Sequence, residues 1–147
     1  RVTYRRDVVG FVWQQTARNL LPYLSAAENV QLARAIGGDR KHPQRAMDLL
    51  ELAGVADVAA RRPAELSGGQ QQRVAIARAI VNEPKVLFAD EPTGNLDSRN
   101  SGEIMNILFD LVAEHGVTLV VVTHDQNLAK IGDRTLIIKD GSIHPAG

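Results

Sequence analysis

No cysteine occurs in the chain, which rules out a disulfide framework, a thiolate metal site and a cysteine nucleophile together. Charge of either sign is not in excess: 17 Lys and Arg stand against 17 Asp and Glu. The strongly basic footprint of a nucleic-acid or anionic-membrane binder is therefore missing. Long apolar runs are also lacking. Runs such as Val8 to Trp13, and Val117 to Val122 with Thr118 inside it, have strand length, far from the roughly 20 residues that cross a bilayer. What is present is ordinary for a globular chain, with 44% hydrophobic and 23% charged residues over a length of 147 that suits one domain.

The order of local signals alternates between extended and helical. Val8-Val9-Gly10-Phe11-Val12-Trp13 is a continuous apolar run of β-formers, expected to be a buried strand that Gln14 and Gln15 end. Ser25-Ala26-Ala27-Glu28 has capping-box spacing, and Gly37-Gly38 would stop the helix it opens. A second helix is expected from Pro43 to Ala53, with Ala46, Leu49, Leu50 and Ala53 on one face and Gly54 as its stop. Ser67-Gly68-Gly69-Gln70 repeats the capping pattern before a long helix reaching Val81.

A second strand follows at Val86-Leu87-Phe88-Ala89, ending at Asp90-Glu91-Pro92. A helix from about Ser98 to His115 leads to a third strand, Val117 to Val122, ending at Thr123-His124-Asp125. A short helix, Gln126 to Ile131, precedes a strand at Arg134 to Ile138, and Asp140-Gly141 signals a tight hairpin. Strand and helix in alternation predict an α/β fold with a parallel sheet.

In an open parallel sheet, ligands sit beyond the carboxyl ends of the strands. Gln14, Asp90-Glu91 and His124 each fall at such an end. Each alone reads equally as an ordinary loop residue, and an adjacent Asp-Glu pair is more often a solvated turn. Their shared edge is what makes them a candidate site. Ser67-Gly68-Gly69-Gln70 adds bare backbone N–H groups at the positive end of a helix, where a bulky anion could approach. The alternative there is a plain Ser-capped helix.

Taken in order, these segments resemble the motifs of ATP-binding-cassette (ABC) ATPases. Leu66-Ser67-Gly68-Gly69-Gln70-Gln71-Gln72-Arg73 is similar to the signature motif, and Val86-Leu87-Phe88-Ala89-Asp90-Glu91 to the Walker B strand. Gly94-Asn95-Leu96-Asp97 resembles the D-loop, His124 the switch histidine and Gln14 the Q-loop glutamine. Asp90-Glu91-Pro92-Thr93-Gly94-Asn95-Leu96-Asp97-Ser98, with Leu20-Leu21-Pro22 and Glu28-Asn29-Val30, is most similar to the lipoprotein-release and macrolide-export branch.

The resemblance implies ATP and Mg²⁺ as cofactors. Glu91 would be the general base, His124 would contact the γ-phosphate, and Gln14 would sense the ion and the attacking water. Asp90, with Gln14, would hold Mg²⁺. Two domains would pair head to tail, so that Ser67, Gly68, Gly69 and Gln70 of one copy close on the nucleotide of the other, with Asp97 at the same interface. Arg73 would support the signature helix. The partners implied are a second ATPase domain and a transmembrane permease reached through the Q-loop region, and no nucleic acid. The place implied is the cytoplasmic face of a membrane.

Two departures from the pattern stand out. None of Lys41, Lys85, Lys130 and Lys139 is followed by Ser or Thr, so the phosphate-cradling G-x-x-x-x-G-K-[ST] loop is not in the chain. The expectation is a partial P-loop NTPase domain, the carboxy-terminal portion of such an ATPase and inactive alone. Within it, residues 1–16 would hold the first strand and Q-loop, 17–66 an inserted helical subdomain, and 67–147 the signature helix and the rest of the core. The second departure is Thr16-Ala17-Arg18-Asn19, longer than the usual segment, with Trp13 in place of the commoner Phe. Two rival readings remain: a non-transport ATPase of the same superfamily, and a non-enzymatic dimerisation or docking fragment. No sustained heptads separate Gln15 from Leu66, which argues against the coiled-coil DNA-repair kind.

Overall fold

The computed structural model describes residues 8–15, 18–38, 42 and 44–146. Its elements in order are β1 (Val9–Val12), α1 (Ala26–Ile36), α2 (Arg45–Leu52), α3 (Gly68–Ile80), β2 (Val86–Asp90), α4 (Ser98–Glu114), β3 (Thr118–Val122), α5 (Gln126–Ala129), β4 (Leu136–Lys139) and β5 (Ser142–Pro145). Short 3₁₀ turns at Ala56–Val58 and Pro63–Glu65 join α2 to α3.

The caps written in the sequence are made. Ser25 Oγ accepts the Glu28 N–H at 3.2 Å while Glu28 Oε2 accepts the Ser25 N–H at 2.7 Å, closing the first turn of α1 reciprocally. Gly54 sits at φ +70° behind α2, a conformation a side chain would strain. Helix α2 starts at Arg45, and the Pro43 expected to open it lies outside the described residues, as do Thr16 and Ala17.

Three strands form a parallel sheet in the order β1-β2-β3, with Phe11 opposite Phe88 and Phe88 opposite Val120. Helix α3 crosses β1 closely: a Cβ on Gly10 would lie 2.8 Å from the Ala79 carbonyl oxygen, so glycine is required there by space. Side chains alternate across a strand, and one face of the sheet is packed. Val12, Leu87 and Ala89 are buried with the inward stripes of α3 (Ile76, Ile80) and α4 (Ile104, Leu108, Leu111).

The continuous apolar runs predicted strands buried on both faces, and this is corrected. Phe11 is 47% and Val122 50% exposed, because the described helices pack one face. On the other, Phe11 stacks on Trp13 and Phe88, ring centroids 5.5 and 5.4 Å apart. The strand expected at Arg134 to Ile138 is Leu136–Lys139, and it joins no parallel ladder. It pairs antiparallel with β5 through Asp140 and Gly141, both at positive φ (50° and 75°), the pattern of a type I′ turn.

Candidate functional site

Because β1, β2 and β3 run parallel, their carboxyl ends share one edge. Gln14 lies two residues past the Val12–Ala89 pair, and Asp90 closes β2 opposite Val122. Glu91 continues the ladder by one bond, its N–H donating to the Val122 carbonyl at 2.8 Å. It then turns the chain away at φ +44°, a left-handed value uncommon outside glycine and often found at functional sites.

That turn folds the Glu91 carboxylate over the end of β3. Its Oε1 accepts the His124 backbone N–H and faces His124 Nδ1, each at 2.7 Å, and its Oε2 accepts the Thr123 hydroxyl at 3.1 Å. Thr123 Oγ1 in turn accepts the Asp125 N–H at 3.0 Å, which aims the hydroxyl proton at Glu91. An Nδ1–H donated to a carboxylate leaves Nε2 as the free ring nitrogen, on a side chain 84% exposed. The arrangement is an oriented carboxylate beside an imidazole that presents one nitrogen outward.

Asp90 is exposed at the same edge. With Glu91 engaged by three donors, Asp90 is the carboxylate left to face a cation. Among the described residues no group of three His, Cys, Asp or Glu could hold a metal by itself. One carboxylate with the Gln14 amide oxygen nonetheless suits Mg²⁺, which takes one or two protein carboxylates and completes its shell with water and substrate phosphates.

The predicted anion-binding residues form a second group. Ser67 caps α3, its Oγ accepting the Gln70 N–H at 3.2 Å and its N–H donating to Gln70 Oε1 at 3.0 Å. The polar atoms of Ser67 and Gln70 thus close on each other, with Ser67 and Gly68 exposed and Gly69 buried. The small residues bring this end against the start of α4: a Cβ on Gly68 would meet Leu96 at 3.6 Å, and one on Gly69 would meet Asn100 at 3.5 Å. Asp97 caps α4, its Oδ1 accepting the Asn100 N–H at 2.9 Å and its Oδ2 the Asn100 side-chain amide at 2.7 Å. Those two bonds, the backbone one first, hold the Asp97 carboxyl below its ordinary pKa. Arg73 pairs with Glu103 at 2.7 Å and reaches the Ala53 carbonyl at 3.4 Å, a brace between α3, α4 and the end of α2.

The fold therefore brings Gln14, Asp90, Glu91 and His124 to one edge and gathers Ser67, Gly68, Gly69, Gln70 and Asp97 at the junction of α3 and α4. Sequence reasoning missed the residues that join the groups. Gln72 Nε2 donates to the Pro92 carbonyl at 2.8 Å, and Gln72 Oε1 faces Asn19 Nδ2 at 3.4 Å. The signal was a glutamine inside the otherwise small or apolar stripe Gly69, Gln72, Ile76, Ile80.

Residues 1–94 match the family model described as ABC transporter. The lipoprotein-releasing system ATP-binding protein LolD of Bacteroides fragilis is 46% identical over 142 residues, covering 95% of this chain and 65% of that protein. The macrolide export ATP-binding/permease protein MacB of Syntrophobacter fumaroxidans is 46% identical over 149 residues, 99% of this chain and 21% of that protein. A dimeric, post-hydrolysis structure of the ATP-binding cassette MJ0796, from Methanocaldococcus jannaschii, bound to ADP and Pi, superposes with a TM-score of 0.82 at 44% identity. That match covers 98% of this chain and 65% of the cassette. The chain thus spans less than two thirds of the length of these relatives.

Proposed function

The chain belongs to the ABC transporter family, and from that membership we propose that it works in an ATP-binding subunit that hydrolyses Mg-ATP and drives a membrane permease. The observation that carries the reading is the Glu91 carboxylate, held by Thr123 and His124 across the ends of two adjacent parallel strands. Glu91 takes the proton of the attacking water, and its three donors fix the direction from which it does so. His124 offers Nε2 to a γ-phosphate oxygen. Asp90 and Gln14 hold Mg²⁺, which when bound neutralises charge on the phosphates.

Ser67, Gly68, Gly69 and Gln70 of one copy close on the nucleotide carried by the other, and Asp97 lies at that interface. The dimer of the MJ0796 cassette supports this pairing. The names of LolD and MacB, a lipoprotein-releasing and a macrolide-export protein, support a permease partner, and the Q-loop region around Gln14 is the part of the chain that we assign to meet it. With a permease as partner, we place the subunit at the cytoplasmic face of a membrane; among the described residues no helix is long and apolar enough to cross one. Within it, residues 1–16 and 67–147 supply core and 17–66 the helical subdomain. Hydrolysis also needs a phosphate-cradling loop, a sequence these 147 residues do not contain.

The test is Glu91→Gln in the full-length protein. Glutamine keeps an oxygen for Thr123 and His124 but cannot take the proton. The expected outcome is a fall in turnover of about 10²-fold or more, with ATP-dependent dimerisation retained in sedimentation. Near-normal hydrolysis would remove Glu91 from the role of base.

A further inference from the structure

Two buried amide side chains face each other between the strand edge and α3. Asn19 is 3% exposed and Gln72 1%. Asn19 uses both ends of its amide on one residue: Oδ1 accepts the Trp13 N–H at 2.9 Å and Nδ2 donates to the Trp13 carbonyl at 2.7 Å. Trp13 immediately precedes Gln14. The same Nδ2 reaches Gln72 Oε1 at 3.4 Å, and Gln72 Nε2 donates to the carbonyl of Pro92 at 2.8 Å. Pro92 immediately follows Glu91. Arg78, farther along α3, donates from Nη1 to the Asn19 carbonyl.

Burial alone does not call for an amide at position 72. Its neighbours on the stripe, Ile76 and Ile80, are fully buried, so an apolar side chain would fill the space, but it would leave the Pro92 carbonyl without its donor. What the glutamine adds is directional attachment at both ends. One end holds the turn after β1 and the other the turn after β2, and the residue itself belongs to the helix whose first turn is Gly68-Gly69-Gln70. Both amides have partners at their oxygen and at their nitrogen. Satisfied buried amides of this kind are rigid, and their bonds weaken over displacements of a few tenths of an ångström.

We propose that Asn19 and Gln72 are positioning residues that tie α3 to the two turns bearing Gln14 and Glu91. A movement of the helix end carrying Ser67 to Gly69 is then felt at the strand edge, and a change at that edge is felt at the helix. The proposal takes from the ATPase reading the roles of the residues it positions; the bonds that make the tie stand without it.

The test is amide hydrogen exchange on the 147-residue chain without nucleotide, comparing wild type with Gln72→Met, which keeps the length of the side chain and loses both bonds. The reporters are the amide of Trp13, bonded to Asn19, and those of Gly94 and Leu96, bonded within the turn that Pro92 begins. The controls are Val117, bonded to Val112, and His115, bonded to Leu111. Exchange about tenfold faster at Trp13, Gly94 and Leu96 together, with Val117 and His115 unchanged, is the expected result. Equal acceleration at all five makes Gln72 a core residue only and overturns the proposal. So does acceleration at Trp13 without the turn, at the turn without Trp13, or at none. If Gln72→Met does not fold, Gln72→Asn, one methylene too short to reach both partners, is read by the same pattern. No step of this test uses ATP, so its outcome and that of Glu91→Gln stand apart.

Discussion

A Cβ built on Gly94 would lie 2.5 Å from Nε2 of Gln14 and 3.2 Å from its Cδ. The glutamine side chain thus lies flat on the turn that follows Glu91, and Asn95 Nδ2 donates to the Gln14 carbonyl at 3.3 Å from the same turn. Gly94 is not in the left-handed region, so what demands glycine is space. The atom in the way is the far end of a flexible side chain, which can yield. Gly94→Ala is therefore expected to cost less than about 1 kcal/mol of stability while displacing Gln14. In the full-length protein turnover falls about tenfold or more, since small misplacements of positioned groups are costly in rate. Urea denaturation and the side-chain amide resonances of Gln14 check both halves. Unmoved resonances would mean that Gln14 does not rest on Gly94.

Acid should loosen two helix starts. Asp97 is held below its ordinary pKa by the Asn100 backbone N–H and side-chain amide, and Glu28 by the backbone and hydroxyl of Ser25, then Arg62. A carboxyl depressed in the folded state contributes stability that is complete above its unfolded pKa, about 4. That contribution is lost as pH falls through the folded value. The melting temperature should therefore drop below about pH 4. In Asp97→Asn combined with Glu28→Gln the drop should be shallower, because both replacements keep a capping oxygen and remove the charge. Melting curves from about pH 6 down to about pH 2.5 measure the slope. An unchanged slope would assign the acid sensitivity to other carboxylates.

What the sequence disclosed was local, and what it concealed depended on distant partners. Ser25 and Glu28, or Ser67 and Gln70, announce a cap three residues apart, and Asp140-Gly141 announces its own turn. Gln14, Glu91 and His124 could be placed on one edge because each lies within two residues of a strand's end and parallel strands end together. Val86-Leu87-Phe88-Ala89 could not show that only one face would be covered, since an apolar run has no period to distinguish the faces. Asn19 sat in a segment notable for its length, and its partner Gln72 lies 53 residues away. The need for glycine at 94 arises from a side chain 80 positions earlier. Neither spacing carries a local signal.

The distribution of the core gives the last prediction. Leu108 is fully buried on α4, with Ile104 and Leu111 in the core cluster that also holds residues of α3 and the sheet. Ile138 lies on the β4–β5 ribbon, which pairs only within itself among the described strands, and is 71% exposed. Removing buried methyl groups loses both their transfer energy and the contacts around the cavity, so Leu108→Ala should cost about 2–5 kcal/mol. That is a large share of the roughly 5–15 kcal/mol that holds an ordinary domain together. Ile138→Ala should stay within about 0.5 kcal/mol. Urea titrations with unchanged m-values measure both differences. If Ile138→Ala costs as much as Leu108→Ala, the ribbon is packed in solution against a surface, and the exposed face bearing Phe11 and Val122 becomes the first place to look for it.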